Sequence, residues 1–189
     1  SFQHRDVKNS DIKENIVFKK GTPRIKKKLK GSTLSLLTGG GGNSNYWHWL
    51  FDVLPRIKLI EKNISLNDID FFLFPDIKEK FQIETLDLLK ISDKKRLSSK
   101  KVRHFETDLA ISVDHPYVIK NDPSVEIQNM PKWIIEFLKQ KFLKFKSSKI
   151  YPKKIYIDRK DAKSNHSHLR KIINEDEVKE LLIKNGFDI

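Results

Sequence analysis

The chain has 189 residues, which is enough for one hydrophobic core, or for one core and part of a second. It is 38% hydrophobic and 10% aromatic, so the composition predicts a packed globular domain and excludes a disordered chain. It contains no cysteine, which excludes disulfides, thiol catalysis and thiolate metal sites. No apolar run approaches the ~20 residues that span a bilayer, so we expect a cytoplasmic protein without a transmembrane segment.

The formal net charge is +13, from 38 Lys and Arg against 25 Asp and Glu. The excess lies in three separate blocks, at 24–30, 94–103 and 139–149. A positive balance suits nucleic acid, an anionic membrane surface or phosphorylated ligands. Each block is also typical of an ordinary solvated lysine-rich face. The charge by itself therefore indicates only a general preference for anions.

Predicted strands and helices alternate along the chain. Short apolar or alternating runs predict strands at 15–20, 32–37, 69–75, 107–113 and 153–159. Apolar spacing with acidic starts, proline starts or a glycine stop predicts helices from Asn45 onward and over 76–90, 130–145 and 174–186. This alternation predicts an α/β fold with a largely parallel sheet. The polar stretch 144–154 predicts a domain boundary near residue 150, and residues 187–189 could begin one more strand.

Four consecutive glycines, at 39–42, stand between the strand 32–37 and the helix that begins near Asn45. Strand, glycines and helix N-terminus in this order place backbone N–H groups where they can surround an anion. The run matches neither the dinucleotide fingerprint G-x-G-x-x-G nor the phosphate loop G-x-x-x-x-G-K-[ST]. A phosphate cradle and a flexible surface turn therefore remain alternative interpretations.

The helix after the glycines is predicted to have two different faces. At about 100° per residue, a core stripe collects on one side: Trp47, Leu50, Leu54 and Ile57. A face with varied chemistry collects on the other: Asn45, His48, Trp49, Asp52 and Arg56. Pro55 is expected to kink the helix and to carry Arg56 away from this face, whereas His48 and Asp52 precede the kink.

His48 and Asp52 stand four residues apart, so they are neighbours on one helix face. Such a pair is either an ordinary surface contact or a general base with the carboxylate that orients it. In the second case the carboxylate holds the imidazole in one tautomer and supports the imidazolium that forms. Spacing alone leaves both interpretations open.

The segment NYWHWLFDVLPRI, residues 45–57, resembles glycosyltransferase family 61, whose members carry an Asn-Tyr-aromatic-His-Trp-Leu-x-Asp-x-Leu-Pro-Arg segment. A second block, residues 154–189, is similar to the family's later Tyr-Ile-x-Arg, Arg, Asn-Glu-x-Glu and Gly-Phe series. Residues 58–150 match only as a general pattern. Two departures are visible: the loop DAKSNHSHLRK is longer than in the family pattern, and the family's later glutamine, His-Gly-Ala and acidic motifs lie beyond this sequence.

The resemblance implies a GT-B architecture of two facing Rossmann-like domains. Residues 1–150 would form the acceptor-side domain, and residues 151–189 would begin an incomplete donor-binding domain. The implied activity is inverting transfer of a hexose or pentose from a UDP-linked nucleotide sugar to a hydroxyl group of a glycan acceptor, in bacterial surface polysaccharide synthesis. No metal or other cofactor and no nucleic-acid partner are expected, peripheral membrane association is compatible with the charge, and the fragment alone could be inactive.

On the family pattern, His48 is the expected base and Asp52 its orienting group, with Asp52 as the base in reserve. Asn45 and Trp49 are expected to position a sugar. Contacts to a diphosphate or carboxylate are expected from three arginines: Arg56, Arg159 and Arg170. For the last two, a structural ion pair with Asp161 or Glu175 is an equally good interpretation. If the diphosphate is held elsewhere, the glycines would instead let the helix bring His48 to the edge of a cleft.

Two other functions compete with glycosyl transfer. The first is a basic module that binds nucleic acid without catalysis, which the charge favours but which no helix-turn-helix, RNP or zinc signature supports. The second is a domain that keeps the shape of the enzyme without its activity. Steep salt dependence of nucleic-acid affinity would distinguish the first from an enzyme.

Overall fold

The computed structural model describes residues 24–38, 44–118, 127–143, 152–158 and 172–189. The chain divides into two compact units, Ser1–Phe145 and Lys146–Ile189. Several sequence-based predictions fall outside the described residues: the strand at 15–20, the glycines at 39–42, and the roles of Arg159 and Arg170.

The first unit is built on a parallel four-stranded sheet with the order β3-β2-β1-β4. The strands are β1 (Lys27–Ser35), β2 (Phe71–Phe74), β3 (Arg96–Ser98) and β4 (Phe105–Ser112). In the middle of the sheet, Leu34 lies opposite Phe72 on one side and Ile111 on the other. The predicted α/β class with a parallel sheet is confirmed.

Two of the basic blocks, 24–30 and 94–103, contribute residues to strands, although their charge favoured a solvated surface. β1 begins at Lys27 rather than at residue 32, and β3 lies entirely inside the block 94–103. The Arg96 guanidinium of β3 forms ion pairs with Asp87 at 2.5 Å and with Asp93 at 2.6 Å. A cation that two carboxylates neutralise in this way is compatible with a half-buried strand, whereas the charge of the block suggested a solvated face.

The helices pack against one face of the sheet. A short helix α1 (Tyr46–His48), a π-helical turn (Trp49–Val53) and a helix α2 (Leu54–Ile60) follow one another without a break, and α3 (Lys80–Leu88) and α4 (Lys132–Phe142) complete the layer. These elements confirm the three predicted helices of this unit, with shorter bounds for the last two. The shared core consists of Leu34, Leu36, Trp49, Val53, Leu54, Ile57, Ile60, Ile69, Phe72, Phe74, Leu86, Ile91 and Phe137.

A bulge in β1 ties the central strand to both of its neighbours. Gly31 has φ +106°, a conformation that favours glycine, and a Cβ atom there would overlap the Asp70 carboxylate. The Gly31 N–H donates to Asp108 of β4 at 2.7 Å, and the Ser32 N–H donates to Asp70 at 2.7 Å. Hydrogen bonds from Ser32 hold the pKa of the Asp70 carboxyl below its usual range. The bulge therefore fixes the register of the strands that carry the site.

The second unit contains the helix α5 (Glu175–Lys184) and a parallel bridge between Ile155 and Asp188. The predicted helix over 174–186 is confirmed. The bridge is what the described residues show of the predicted strand 153–159. Among the helices that the structure describes, none has the length and apolar character that a bilayer span requires.

Candidate active site

The candidate site lies at the carboxyl edge of the sheet, beside β1 and β4. β1 leads through residues 36–45 into α1, and β4 leads into the loop 113–118. β2, the next strand along the chain, pairs with the other side of β1, so the chain changes direction across the sheet between β1 and β4. Open α/β sheets bind their ligands at such a switch point. The topology therefore marks this edge before any side chain is considered.

Asn45 starts the helix that carries the site. Its side-chain oxygen accepts hydrogen bonds from the N–H groups of Trp47 at 3.0 Å and His48 at 3.3 Å, which satisfies two donors that the first turn would leave unpaired. The predicted helix start is confirmed. A contact between Asn45 and a sugar stays a prediction, and its side-chain amide N–H groups are what it could offer.

The π-helical turn changes which residues face the core. The Leu54 N–H bonds the carbonyl of Trp49, five residues back, where an α-helix would have it bond Leu50. The next residue, Pro55, has no N–H to donate to the Phe51 carbonyl. The bond from Leu54 to Trp49 adds one residue to the turn and shifts the core stripe by one position on its N-terminal side. Trp49, rather than Leu50 or Trp47, therefore lies in line with Val53.

The predicted place of Trp49 on the polar face is wrong. Its side chain is fully buried, packs against Phe74 and Phe81, and donates its indole N–H to Thr85 at 2.9 Å. It presents no surface to a sugar. The indole beside His48 belongs to Trp47, whose ring lies 5.2 Å from the imidazole.

His48 and Asp52 form a direct hydrogen bond, with 2.6 Å between His48 Nδ1 and Asp52 Oδ2. The His48 side chain is 36% exposed, whereas that of Asp52 is 10% exposed. Since an ionised carboxylate can only accept, we assign the proton to His48 Nδ1. The outer nitrogen, Nε2, then carries a lone pair and has no hydrogen-bond partner among the residues that the structure describes.

The second carboxylate oxygen of Asp52 is held by the loop after β4. The Tyr117 hydroxyl donates to Asp52 Oδ1 at 2.6 Å. Burial of the phenol, together with this hydrogen bond to the carboxylate, raises the pKa of Tyr117 above its ordinary value of about 10. Both oxygens of Asp52 are thus engaged, one by each side of the switch point.

His115 completes the cluster around Asp52. Its Nδ1 accepts the backbone N–H of Val118 at 3.0 Å, which places the ring proton on Nε2. That nitrogen lies 3.9 Å from Asp52 Oδ1, and the ring stacks edge-on against Tyr117 with centroids 4.5 Å apart. Two imidazoles therefore flank one carboxylate. Within the described residues, no set of three or more His, Asp or Glu side chains has an arrangement that could hold a metal ion.

Arg56 joins the two loops of the switch point. Its Nε donates to the Asp52 carbonyl at 3.1 Å, and its Nη1 donates to the carbonyls of Leu37 at 3.2 Å and Val113 at 3.3 Å. Partial burial lowers the pKa of Arg56, and the nearby carboxylates of Asp52 and Asp114 oppose that shift. Arg56 thus stays beside Asp52 after the proline and holds the ends of β1 and β4. A diphosphate contact through its remaining N–H groups stays a prediction.

Comparison with known proteins is decisive at the level of the family. The family model of glycosyltransferase 61 matches residues 46–189, which is most of the chain. The chain belongs to glycosyltransferase family 61. No curated protein and no solved structure matches it. Family membership assigns glycosyl transfer as the general activity of this chain.

The sequence-based interpretation of this family 61 chain missed His115 and Tyr117. Both lie in the loop directly after β4, in the stretch DHPYV. Polar and aromatic residues that follow a strand of a parallel sheet lie at its carboxyl edge, and that signal was available. The strand order cannot be derived from that signal, and without the strand order neither residue could be placed beside Asp52.

Replacing Tyr117 with phenylalanine is expected to destabilise this family 61 chain by about 1–3 kcal/mol, because a buried oxygen of Asp52 loses its donor. The native state holds the Tyr117 proton more tightly than the unfolded state does. The stability that this side chain contributes is therefore complete below about pH 10 and declines above it, as the unfolded phenol ionises. Urea unfolding of both proteins at pH 8 and pH 11 measures this. A stability difference that stays the same at both pH values would contradict the assigned hydrogen bond.

Proposed function

We propose that the chain provides the acceptor-side catalytic groups of an inverting glycosyltransferase of GT-B architecture. The reaction moves a hexose or pentose from a UDP-linked donor to a hydroxyl group of a glycan. The observation that carries the proposal is the 2.6 Å hydrogen bond between His48 Nδ1 and Asp52 Oδ2, at a sheet edge where ligands are expected. It joins a base to an orienting carboxylate in a chain of a glycosyltransferase family.

His48 is better suited than Asp52 to act as the base. Asp52 is largely buried and both of its oxygens accept hydrogen bonds, from His48 and from Tyr117. His48 is more exposed, and its Nε2 is available to an acceptor. The geometry therefore favours His48 as the group that touches the substrate and Asp52 as the group that orients the His48 imidazole.

In the proposed transfer, the acceptor oxygen forms a bond to the anomeric carbon while the proton of its hydroxyl group moves to His48 Nε2. The bond between the anomeric carbon and the diphosphate oxygen breaks, and its electron pair leaves with the diphosphate. Asp52 stabilises the imidazolium that forms, as the carboxylate of a catalytic triad does. Arg159 and Arg170 are proposed to neutralise the departing diphosphate, since arginine suits phosphate contacts.

The remaining assignments follow from the same family pattern. We assign residues 1–150 to the acceptor-side domain and residues 151–189 to the donor-binding domain. The partners are a nucleotide-sugar donor and a bacterial surface glycan, without a metal and without nucleic acid. The reaction is assigned to the cytoplasm, and the positive charge is compatible with peripheral binding to an anionic membrane.

The proposal is tested on the full-length protein with a panel of labelled UDP-sugars and a glycan acceptor. We expect one donor to support transfer in the presence of EDTA, with a product whose anomeric configuration, observed by NMR, is opposite to that of the donor. A retained configuration would exclude the direct displacement by a His48-activated hydroxyl. Absence of transfer or hydrolysis with every donor, combined with tight nucleic-acid binding that weakens steeply with salt, would favour the binding module instead.

A further inference from the structure

A second concave site lies away from His48, near the start of β2 and β3. It is a cleft of about 730 Å³ between the end of α2, the turn over 61–67 and the end of α3. The lining residues immediately precede β2 and β3, so the cleft lies towards the amino-terminal edge of the sheet. The candidate active site is at the carboxyl edge. We name this site the lysine cleft, after the four lysines that line it: Lys58, Lys62, Lys90 and Lys95.

The lysine cleft combines positive charge with an apolar wall. The apolar part is contributed by Ile64, Leu66, Phe72, Leu89 and Ile91, and the polar part includes the side chains of Asn63, Ser65, Asn67 and Ser92. Glu61 is the one acidic residue in the lining, and its carboxylate is already bonded to Lys141 at 2.9 Å. The cleft therefore carries an excess of positive charge that its own acidic residue does not offset.

None of the four lysines of the cleft forms an ion pair with a carboxylate among the residues that the structure describes. The Lys95 ammonium is fixed, since it donates to the carbonyls of Asn67 at 3.1 Å and Ile69 at 2.6 Å. Lys58, Lys62 and Lys90 form no ion pair with any residue that the structure describes. A concave surface that gathers charges of one sign raises the local concentration of the opposite ion.

The backbone at Lys90 supports a role for its side chain. Lys90 has φ +59° and follows α3 in a Schellman motif, in which the Ile91 N–H bonds the Leu86 carbonyl at 3.0 Å. Glycine is the usual residue at this position, because it adopts the left-handed conformation without a steric cost. A lysine here costs free energy relative to glycine. A contact between the Lys90 ammonium group and a ligand in the cleft would offset that cost.

We propose that the lysine cleft binds a ligand that carries a phosphate group on a partly apolar body. The phosphate would lie among Lys58, Lys62 and Lys90, and the apolar part would lie against Leu89 and its neighbours. Lysine binds phosphate as a point charge, and a phosphate carries more negative charge than a carboxylate, which suits a lining with four lysines and one glutamate that is already paired. The phosphate can come from a soluble compound or from a lipid headgroup. This site is independent of glycosyl transfer.

The test uses the full-length protein with the double substitution Lys62→Ala and Lys90→Gly. Glycine at position 90 relieves the left-handed strain, so Lys90→Gly is expected to raise rather than lower the thermal midpoint. The matched control is Lys80→Ala with Lys132→Ala, two exposed lysines outside the cleft with the same change in net charge. One arm titrates inorganic pyrophosphate and follows backbone amide shifts by NMR. The other measures sedimentation with vesicles of phosphatidylglycerol or of phosphatidylcholine.

We expect the double variant to bind at least about tenfold more weakly than the control in one of the two arms, with affinity that falls as salt is added. A loss in the pyrophosphate arm, with amide shifts centred on Lys58, Lys62 and Lys90, identifies a soluble phosphate ligand. A loss confined to phosphatidylglycerol vesicles identifies a lipid headgroup. No binding to either probe, or equal binding by the double variant and the control, would overturn the proposal.

Discussion

Replacing His48 with alanine in the full-length protein is expected to lower kcat for sugar transfer roughly 10²–10⁴-fold, the usual contribution of a general base. The change removes the proposed base and leaves the core intact, because the His48 side chain is partly exposed and its hydrogen bond among the described residues is the one to Asp52. We expect KM for the donor to change little, since the base does not hold the nucleotide. Steady-state kinetics with varied donor, together with circular dichroism, measures both effects.

The matched control for His48→Ala is His104→Ala, at the opposite end of the sheet. His104 precedes β4, and its backbone carbonyl accepts the N–H of Lys27 near the start of β1. The same loss of one imidazole there should leave kcat within a few fold of wild type. A His48→Ala enzyme with unchanged kcat would remove His48 from the chemistry. Asp52, the alternative base, would then be the remaining candidate of the pair.

Replacing Asp52 with asparagine is expected to reduce kcat by a similar factor, roughly 10²–10⁴, for a different reason. Asparagine can still accept the Tyr117 hydroxyl through its oxygen, but its amide N–H₂ then faces His48 Nδ1. His48 must accept there, so its proton moves to Nε2. The nitrogen that faces the acceptor becomes a donor and can no longer take the proton of the attacking hydroxyl.

The tautomer is directly measurable. Long-range ¹H–¹⁵N NMR of the His48 ring should show a protonated Nδ1 in the wild type and a protonated Nε2 in Asp52→Asn. The control is Asp114→Asn, which removes an exposed carboxylate from the same loop edge without touching His48. An Asp52→Asn enzyme that keeps both the Nδ1–H tautomer and full activity would exclude Asp52 as the orienting group.

The alternation of apolar runs with helical patterns was sufficient for the fold class. Runs such as IDFFLF and the amphipathic pattern of α4 depend on local burial, and local burial leaves a periodic signature. β3 and the first half of β1 left no such signature, because their lysines and arginines suggested a solvated surface. Their strand character depends on pairing partners far along the chain, since Arg96 lies opposite Phe72 of β2 and Lys27 lies opposite Phe105 of β4.

The sequence by itself determined the parallel α/β class, the start of the helix at Asn45, the family, and the pairing of His48 with Asp52. The helix start and the pair depend on residues close together in the chain, where capping and the i,i+4 spacing act directly. Only the tertiary structure decided that Trp49 is core and Trp47 is beside His48, because one extra residue in a π-helical turn shifts the phase of the helix. It alone brought Tyr117, 65 residues away, onto Asp52. Strand order sets which loops meet at a sheet edge, and strand order is a property of the whole fold.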